Sequence, residues 1–249
     1  MTSPSPGPVA RPQRRFATTR WSLIRQARHQ TDAPARAALE ELCQAYWLPV
    51  YGFMRRQTRD VHEAQDWTQG FFASLLSRNA FADLKPDLGR FRSFLRAAAK
   101  HYVCNEQDRK ATVIRGGLII VQSLDYEDGE RQLAQELSRE TSAESIFERR
   151  WALAILGRVL SSLRQEYEAA GKCELFEALA EHLSGQATDE TLVSVAECLQ
   201  TTAEAIRVAL HRLRKRYRHL LRHEISQTTV SADEVEDEIR HLFQALSRD

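Results

Sequence analysis

The sequence predicts an all-α protein, on three observations. Only 10 Gly and 7 Pro occur among 249 residues, too few turn formers for a sheet-rich chain. Apolar residues recur every three or four positions through most of the chain, the repeat of a helix with one buried face. Asp60 and Thr201 each precede such a stretch, with Glu63 and Glu204 three residues on, the pattern of a capping box. A hydrophobic content of 43% is enough to fill the core of one large domain or two small ones.

The elements follow in order. Residues 1–20 are rich in Pro, Ser and Arg and read as a disordered basic arm. Helical patterning begins near Trp21. Over 35–54, Leu39, Leu42, Tyr46, Val50 and Phe53 share a face, and Pro49 is placed to kink that helix or start a new turn. After Asp60, the residues Val61, Ala64, Thr68, Phe71, Phe72 and Leu75 line the buried face of the next helix. His62, Asp66, Gln69 and Ala73 fall on its opposite face. Residues 79–90 read as a polar loop with Pro86 and Gly89, and a third helix is expected over 91–109.

Residues 111–150 read as a connector. Arg115-Gly116-Gly117 interrupts structure, 118–121 has the composition of a short strand, and the acidic run 125–130 has little to bury. Helices resume over 147–169 and 173–183, separated by Gly171. After a loop at 184–190 comes a short apolar-patterned segment, 191–199, then the break Gln200-Thr201-Thr202, then a long basic helix in which Thr201 or Thr202 is the cap. Residues 231–246 close the chain as an acidic amphipathic helix, apolar at Val235, Ile239, Leu242, Phe243 and Leu246.

A net charge of +1 excludes little, but its distribution is uneven. Residues 84–115 hold eight bases against three acids, residues 121–150 eight acids against four bases, and residues 224–249 seven acids against two bases. Such blocks read as basic contact surfaces separated by acidic connectors. The four Cys are far apart and form no CxxC pair, which argues against structural zinc and for reduced, mostly buried thiols. No apolar run reaches the roughly 18–20 residues of a membrane span, and the N-terminus lacks the apolar core of a secretory signal. A soluble cytoplasmic protein is expected. No P-loop, GxSxG or HExxH motif occurs, and His62, His101, His182 and His241 are isolated. No catalytic residue, cofactor or metal site is expected, and the protein reads as a non-enzyme.

Three constellations remain. Between Arg207 and His223 stand seven Lys or Arg, three His and no acid, above an apolar stripe of Ile206, Leu210, Leu213, Tyr217 and Leu220. With the preceding short helix this outlines a helix-turn-helix. Arg207, Val208, His211 and Arg212 would reach base edges, and Arg214, Lys215, Arg218 and Arg222 suit phosphate. The plainer alternative is a solvated basic face. The second constellation interleaves bases with aromatics at Arg90, Phe91, Arg92, Phe94, Arg96, Lys100, Tyr102, Asn105, Arg109 and Lys110. Rings and cations in that order suit opened nucleic acid, whose bases stack while Arg and Lys hold the backbone; the aromatics also suit an ordinary core. The third is the outward Asp66/Gln69 stripe, either a solvated face or a grip for a basic partner helix.

Taken together, these segments resemble the extracytoplasmic-function group of bacterial RNA polymerase sigma factors. Tyr51 to Arg56 (YGFMRR) and Ala64 to Phe72 (AQDWTQGFF) are similar to that family's conserved region two, as is Gly89 to Leu95 (GRFRSFL). Val195 to Arg216 is similar to the region-four helix-turn-helix. The resemblance covers about residues 21–111 and 147–224. It implies two helical domains, a region-two-like bundle over 21–111 and a region-four-like helix-turn-helix domain over 147–224, joined by a flexible linker at 112–146; the acidic extension at 225–249, a C-terminal amphipathic helix, is additional to the family's pattern. It further implies a transcription initiation factor that binds core RNA polymerase through Asp66, Gln69, His62 and Ala73. Arg90, Arg92, Phe94, Arg96, Lys100, Asn105, Arg109 and Lys110 would meet the minus-ten element. Arg207, Val208, His211, Arg212, Arg214 and Lys215 would meet the minus-thirty-five element. Partners would be core polymerase, promoter DNA and an anti-sigma protein, or self-restraint by the extension, in the cytoplasm and at the nucleoid when polymerase-bound. Phe94 stands where the family has Trp, Lys100-His101 where it has Arg-Asn, Asn105 where it has Asp, and Gln200 at the turn glycine. A stand-alone helix-turn-helix regulator needs neither the Asp66 stripe nor the Phe91–Lys110 segment, and an adaptor without DNA contact does not need the basic helix.

Overall fold

The computed structural model describes residues 33–58, 60–77, 90–110, 125–139, 141–185, 187–229 and 231–247, and every regular element among them is an α-helix. The expected arm at 1–20, the onset near Trp21, the loop at 79–89 and the strand at 118–121 lie outside these residues. The nine described helices are α1 (Ala33–Gln57), α2 (Val61–Ser77), α3 (Phe91–Lys110), α4 (Tyr126–Ser138), α5 (Ala143–Ala169), α6 (Cys173–Ala180), α7 (Asp189–Cys198), α8 (Ala203–Ser226) and α9 (Ala232–Ser247).

α1 runs continuously through Pro49 and buries Tyr46, Val50, Phe53 and Met54, chiefly against α5 and α2. α2 starts as its sequence directs: the Asp60 carboxylate accepts from the His62 and Glu63 amides at 2.8 and 3.2 Å. The Glu63 carboxylate accepts from the Thr58 hydroxyl at 2.5 Å. Ala64, Thr68, Phe71, Phe72 and Leu75 are all buried. α3 presents Phe91, Leu95, Ala99 and Val103 to the same core, one per turn. α5 adds Phe147, Trp151 and Ile155, and the Trp151 indole N–H donates to the Tyr46 hydroxyl at 3.1 Å.

The stretch 112–146, expected as a linker, departs from that expectation: residues 126–138 form α4 and residues 143–146 open α5. Three features fold α4. Asp125 caps it, accepting from the Asp128 amide at 3.0 Å. Leu133 is fully buried beside Gly52, where an added Cβ would come within 3.0 Å of its methyl. Gly129 lies under the Trp47 ring, again at 3.0 Å from an added Cβ. Its glycine permits close packing rather than interrupting the helix. The acidic run is also partnered, since Glu130 accepts from the Tyr51 hydroxyl at 2.6 Å and from Arg55 at 2.8 Å.

The buried side chains form two clusters. The first gathers α1–α4, the N-terminal half of α5, the end of α8 (Leu221, Ile225) and α9 (Val235, Leu242, Ala245). The second gathers Leu163 of α5, Phe176 and Leu179 of α6, Leu192 and Ala196 of α7, and Ile206, Leu210 and Leu213 of α8. α5 and α8 therefore belong to both, and Tyr217 and Leu220 touch both. The boundaries expected at 147 and 225 fall inside packed structure. Of the cysteines, only Cys43 is buried, and burial pushes its thiol up; Cys104, Cys173 and Cys198 are exposed and free, against the expectation of mostly buried thiols. Each of those three stands on a helix face or end turned from both clusters.

Candidate nucleic-acid and protein-binding surfaces

α7 and α8 are two helices joined by a tight turn. Thr188 caps α7 and Thr202 caps α8, each hydroxyl accepting an amide three residues on at 3.2 Å. Between them the Thr201 amide donates to the Ala196 carbonyl at 2.9 Å, and Gln200 takes the left-handed conformation with φ 50°. Non-glycine residues adopt that region at a cost. The turn therefore closes with Gln200 in a strained conformation. The Ile206, Leu210, Leu213 stripe is buried, which fixes the rotation of α8 and leaves Arg207, Val208, His211, Arg212 and Lys215 exposed. Val208 is 41% exposed on the same face.

The cations of α8 are not equivalent. Among the described residues no carboxylate lies within ion-pair distance of Arg212 or Lys215. Arg207 pairs at the surface with Glu204 at 2.5 Å and Asp189 at 2.9 Å, and the Asp189 and Glu204 carboxylates hold its guanidinium more firmly charged. Exposed pairs of this kind are screened by solvent and yield readily to a competing acceptor. Arg214, expected at phosphate, instead braces the loop after α6. It donates to the His182 carbonyl at 2.7 Å and the Gly185 carbonyl at 2.7 Å. Carbonyls there have no helical partner, so a rigid guanidinium fork satisfies them. Arg216 is drawn to Glu166 of α5 by two hydrogen bonds at 2.7 and 2.5 Å, and that contact lowers the Glu166 carboxyl below its usual range.

On α2, His62 and Asp66 are exposed, while Gln69 and Ala73 are half-buried. Tyr126 of α4 stands beside Gln69 and Asp66, so the stripe is partly covered rather than fully open. Burial pushes the Tyr126 phenol up to about 12, and the Asp66 charge adds to the rise. An open cleft runs between the two helices, lined by Val61, Gln65, Tyr126, Glu127, Glu130 and Arg131.

The α3 segment holds the largest difference from expectation. Arg92, expected at DNA, is 4% exposed and enclosed by carboxylates. It donates to both oxygens of Glu238 at 3.0 and 2.9 Å and to Glu148 at 2.5 Å, and lies 4.8 Å over the Trp151 ring. Burial works to lower its pKa, but the Glu238 hydrogen bonds and the Glu148 charge outweigh it, and the guanidinium is held above its usual value. Arg90 reaches Glu238 at 2.9 Å and Asp237 at 3.0 Å, and Arg96 reaches Glu148 at 2.5 Å. Lys100 stands 3.8 Å from Glu144. Phe94 is half-buried against the first cluster, and Asn105 is exposed and bonded to His101 at 3.2 Å. Arg109 and Lys110 lie in the last turn of α3, their side chains outside the description.

Glu148, Asp237 and Glu238 were absent from the sequence-derived surfaces. A signal existed: Glu238 stands three residues after Val235 and four before Leu242, an acid in register with an apolar stripe, and such an acid requires a buried cation. Among the described residues no group of His, Cys, Asp and Glu is placed to hold a metal ion, and no helix is long and apolar enough to cross a membrane. No family model matches the sequence, and neither a curated protein nor a solved structure is similar to it.

Proposed function

We propose that this chain is a sigma-type transcription initiation factor, a non-enzyme that brings core RNA polymerase to promoters and assists their opening. The observation that carries the reading is the α7–α8 pair, with Val208, His211, Arg212 and Lys215 exposed on one face of the second helix. In a helix-turn-helix the early turns of that helix enter the major groove. Arg212 would bond a guanine edge, Val208 would pack on a thymine methyl, and Lys215 would hold phosphate. His62 and Asp66, exposed on α2, would grip a basic helix of the polymerase, and the α3 segment would take the minus-ten strand as the duplex opens. The site of action would be the cytoplasm and, with polymerase, the nucleoid.

Run-off transcription with core enzyme and genomic DNA tests the reading, with discrete promoter-dependent transcripts expected. Asp66→Arg is expected to abolish co-purification with core polymerase and leave the far-UV circular dichroism spectrum unchanged, since Asp66 is exposed. One observation favours the second reading, a stand-alone helix-turn-helix regulator: Arg90, Arg92 and Arg96 are all engaged by carboxylates, whereas Arg212 and Lys215 of α8 are exposed. Duplex binding without any affinity for core polymerase would decide for it.

A further inference from the structure

α9 carries Asp233, Glu234, Glu236, Asp237 and Glu238 against the single base Arg240 and His241. It follows the basic helix α8 after a short turn, and that turn is tied to α3 by the Phe91 amide, which donates to the Thr228 carbonyl at 3.1 Å. This places the acidic face of α9 along the start of α3. There three guanidiniums, Arg90, Arg92 and Arg96, meet three carboxylates, and α9 supplies two of the three. Glu238 holds Arg92 through both oxygens, the two-point geometry in which arginine also binds phosphate. Glu238 and Arg92 are 1% and 4% exposed, so this pair is closed to nucleic acid while α9 is seated. Arg222 of α8 pairs with Glu236, which removes a further cation.

We infer that α9 is an intramolecular stand-in for nucleic-acid phosphate: seated, it occupies Arg90 and Arg92 and holds the α3 segment closed to the promoter strand, and strand capture requires it to leave. This rests on the proposed assignment of the α3 segment to the minus-ten strand. Seated, α9 also places Val235, Leu242 and Ala245 in the first cluster, so its release gives up that packing together with the ion pairs. The carboxylates compete for groups that otherwise project a positive field, and Asp237 remains 45% exposed at the edge where a phosphate can enter.

The test uses the full chain and a fluorescein-labelled mixed-sequence single-stranded DNA of about 20 nucleotides, without polymerase. Replacing the two carboxylates by isosteric amides, Asp237→Asn with Glu238→Gln, removes both acids from Arg90 and leaves Arg92 with Glu148 alone. Affinity at low salt is expected to rise about tenfold, with the slope of log affinity against log salt steepening by about 0.7, one site on a single strand. Asp237→Asn alone, at an edge position, keeps the test valid should the double variant unfold; it loosens the hold on Arg90, which Glu238 still pairs, and is expected to raise affinity about threefold. In the native chain, saturating DNA is expected to speed amide exchange across α9 and leave α6 unchanged. Unaltered affinity in both variants, or DNA bound with α9 still protected, overturns the clasp. Failure of the native chain and the variants to bind core polymerase overturns the sigma reading instead, and the polymerase-free DNA measurement still decides the clasp.

Discussion

Gln200 is where a single residue carries the strain of the turn between α7 and α8. Its φ of 50° is the value a turn glycine adopts freely, and the Thr201–Ala196 hydrogen bond at 2.9 Å shows the turn is closed around it. A left-handed L-residue costs roughly 1–2 kcal/mol, partly offset by the larger unfolded-state entropy of glycine. Gln200→Gly is therefore expected to stabilise the protein by about 1 kcal/mol, read as a higher urea midpoint with an unchanged slope. A lower midpoint would mean that the glutamine side chain itself supports the turn. This position was legible in sequence, because only a turn residue fits between Leu199 and the Thr202 cap. Arg92 was not. Its neighbours Phe91 and Leu95 mark the buried face of α3, but an arginine beside that face reads as a surface cation until Glu238 arrives from 146 positions away.

Among the elements, α4 shows why local pattern and packing part company. Its sequence offers Tyr126, Leu133 and Leu137 among acids, with a glycine in the second turn. Read alone, that is too little apolar surface to hold a helix in water. Tertiary contact supplies the rest: Leu133 fills space beside Gly52, Gly129 admits the Trp47 ring, and Glu130 meets Tyr51 and Arg55. By contrast α2 and α8 were readable because their apolar stripes are long and one-sided, and burial follows the predicted faces. If α4 is anchored by its one fully buried leucine, Leu133→Ala should cost about 2–5 kcal/mol. It should also raise amide exchange through 126–138 ahead of global unfolding. A loss below about 1 kcal/mol would mark α4 as loosely attached.

At the scale of the whole molecule, α5 and α8 decide how the two clusters behave. Each helix is continuous and each buries residues in both clusters, so neither cluster can lose its packing without stripping a face from a helix the other needs. Long helices shared in this way couple their ends, because the hydrogen-bond ladder fails cooperatively. Every tryptophan among the described residues, Trp47, Trp67 and Trp151, lies in or against the first cluster, whereas Leu213 is buried in the second. Indole fluorescence is thus a reporter for one cluster and blind to direct change in the other. Leu213→Ala, which leaves a cavity worth about 2–5 kcal/mol, is expected to lower the denaturation midpoint seen by tryptophan fluorescence as much as that seen by far-UV circular dichroism. The two curves should superimpose, as a single cooperative transition requires. A fluorescence midpoint that stays in place while circular dichroism separates into two steps would instead describe two independent domains, the arrangement the charge blocks and the connector had led one to expect.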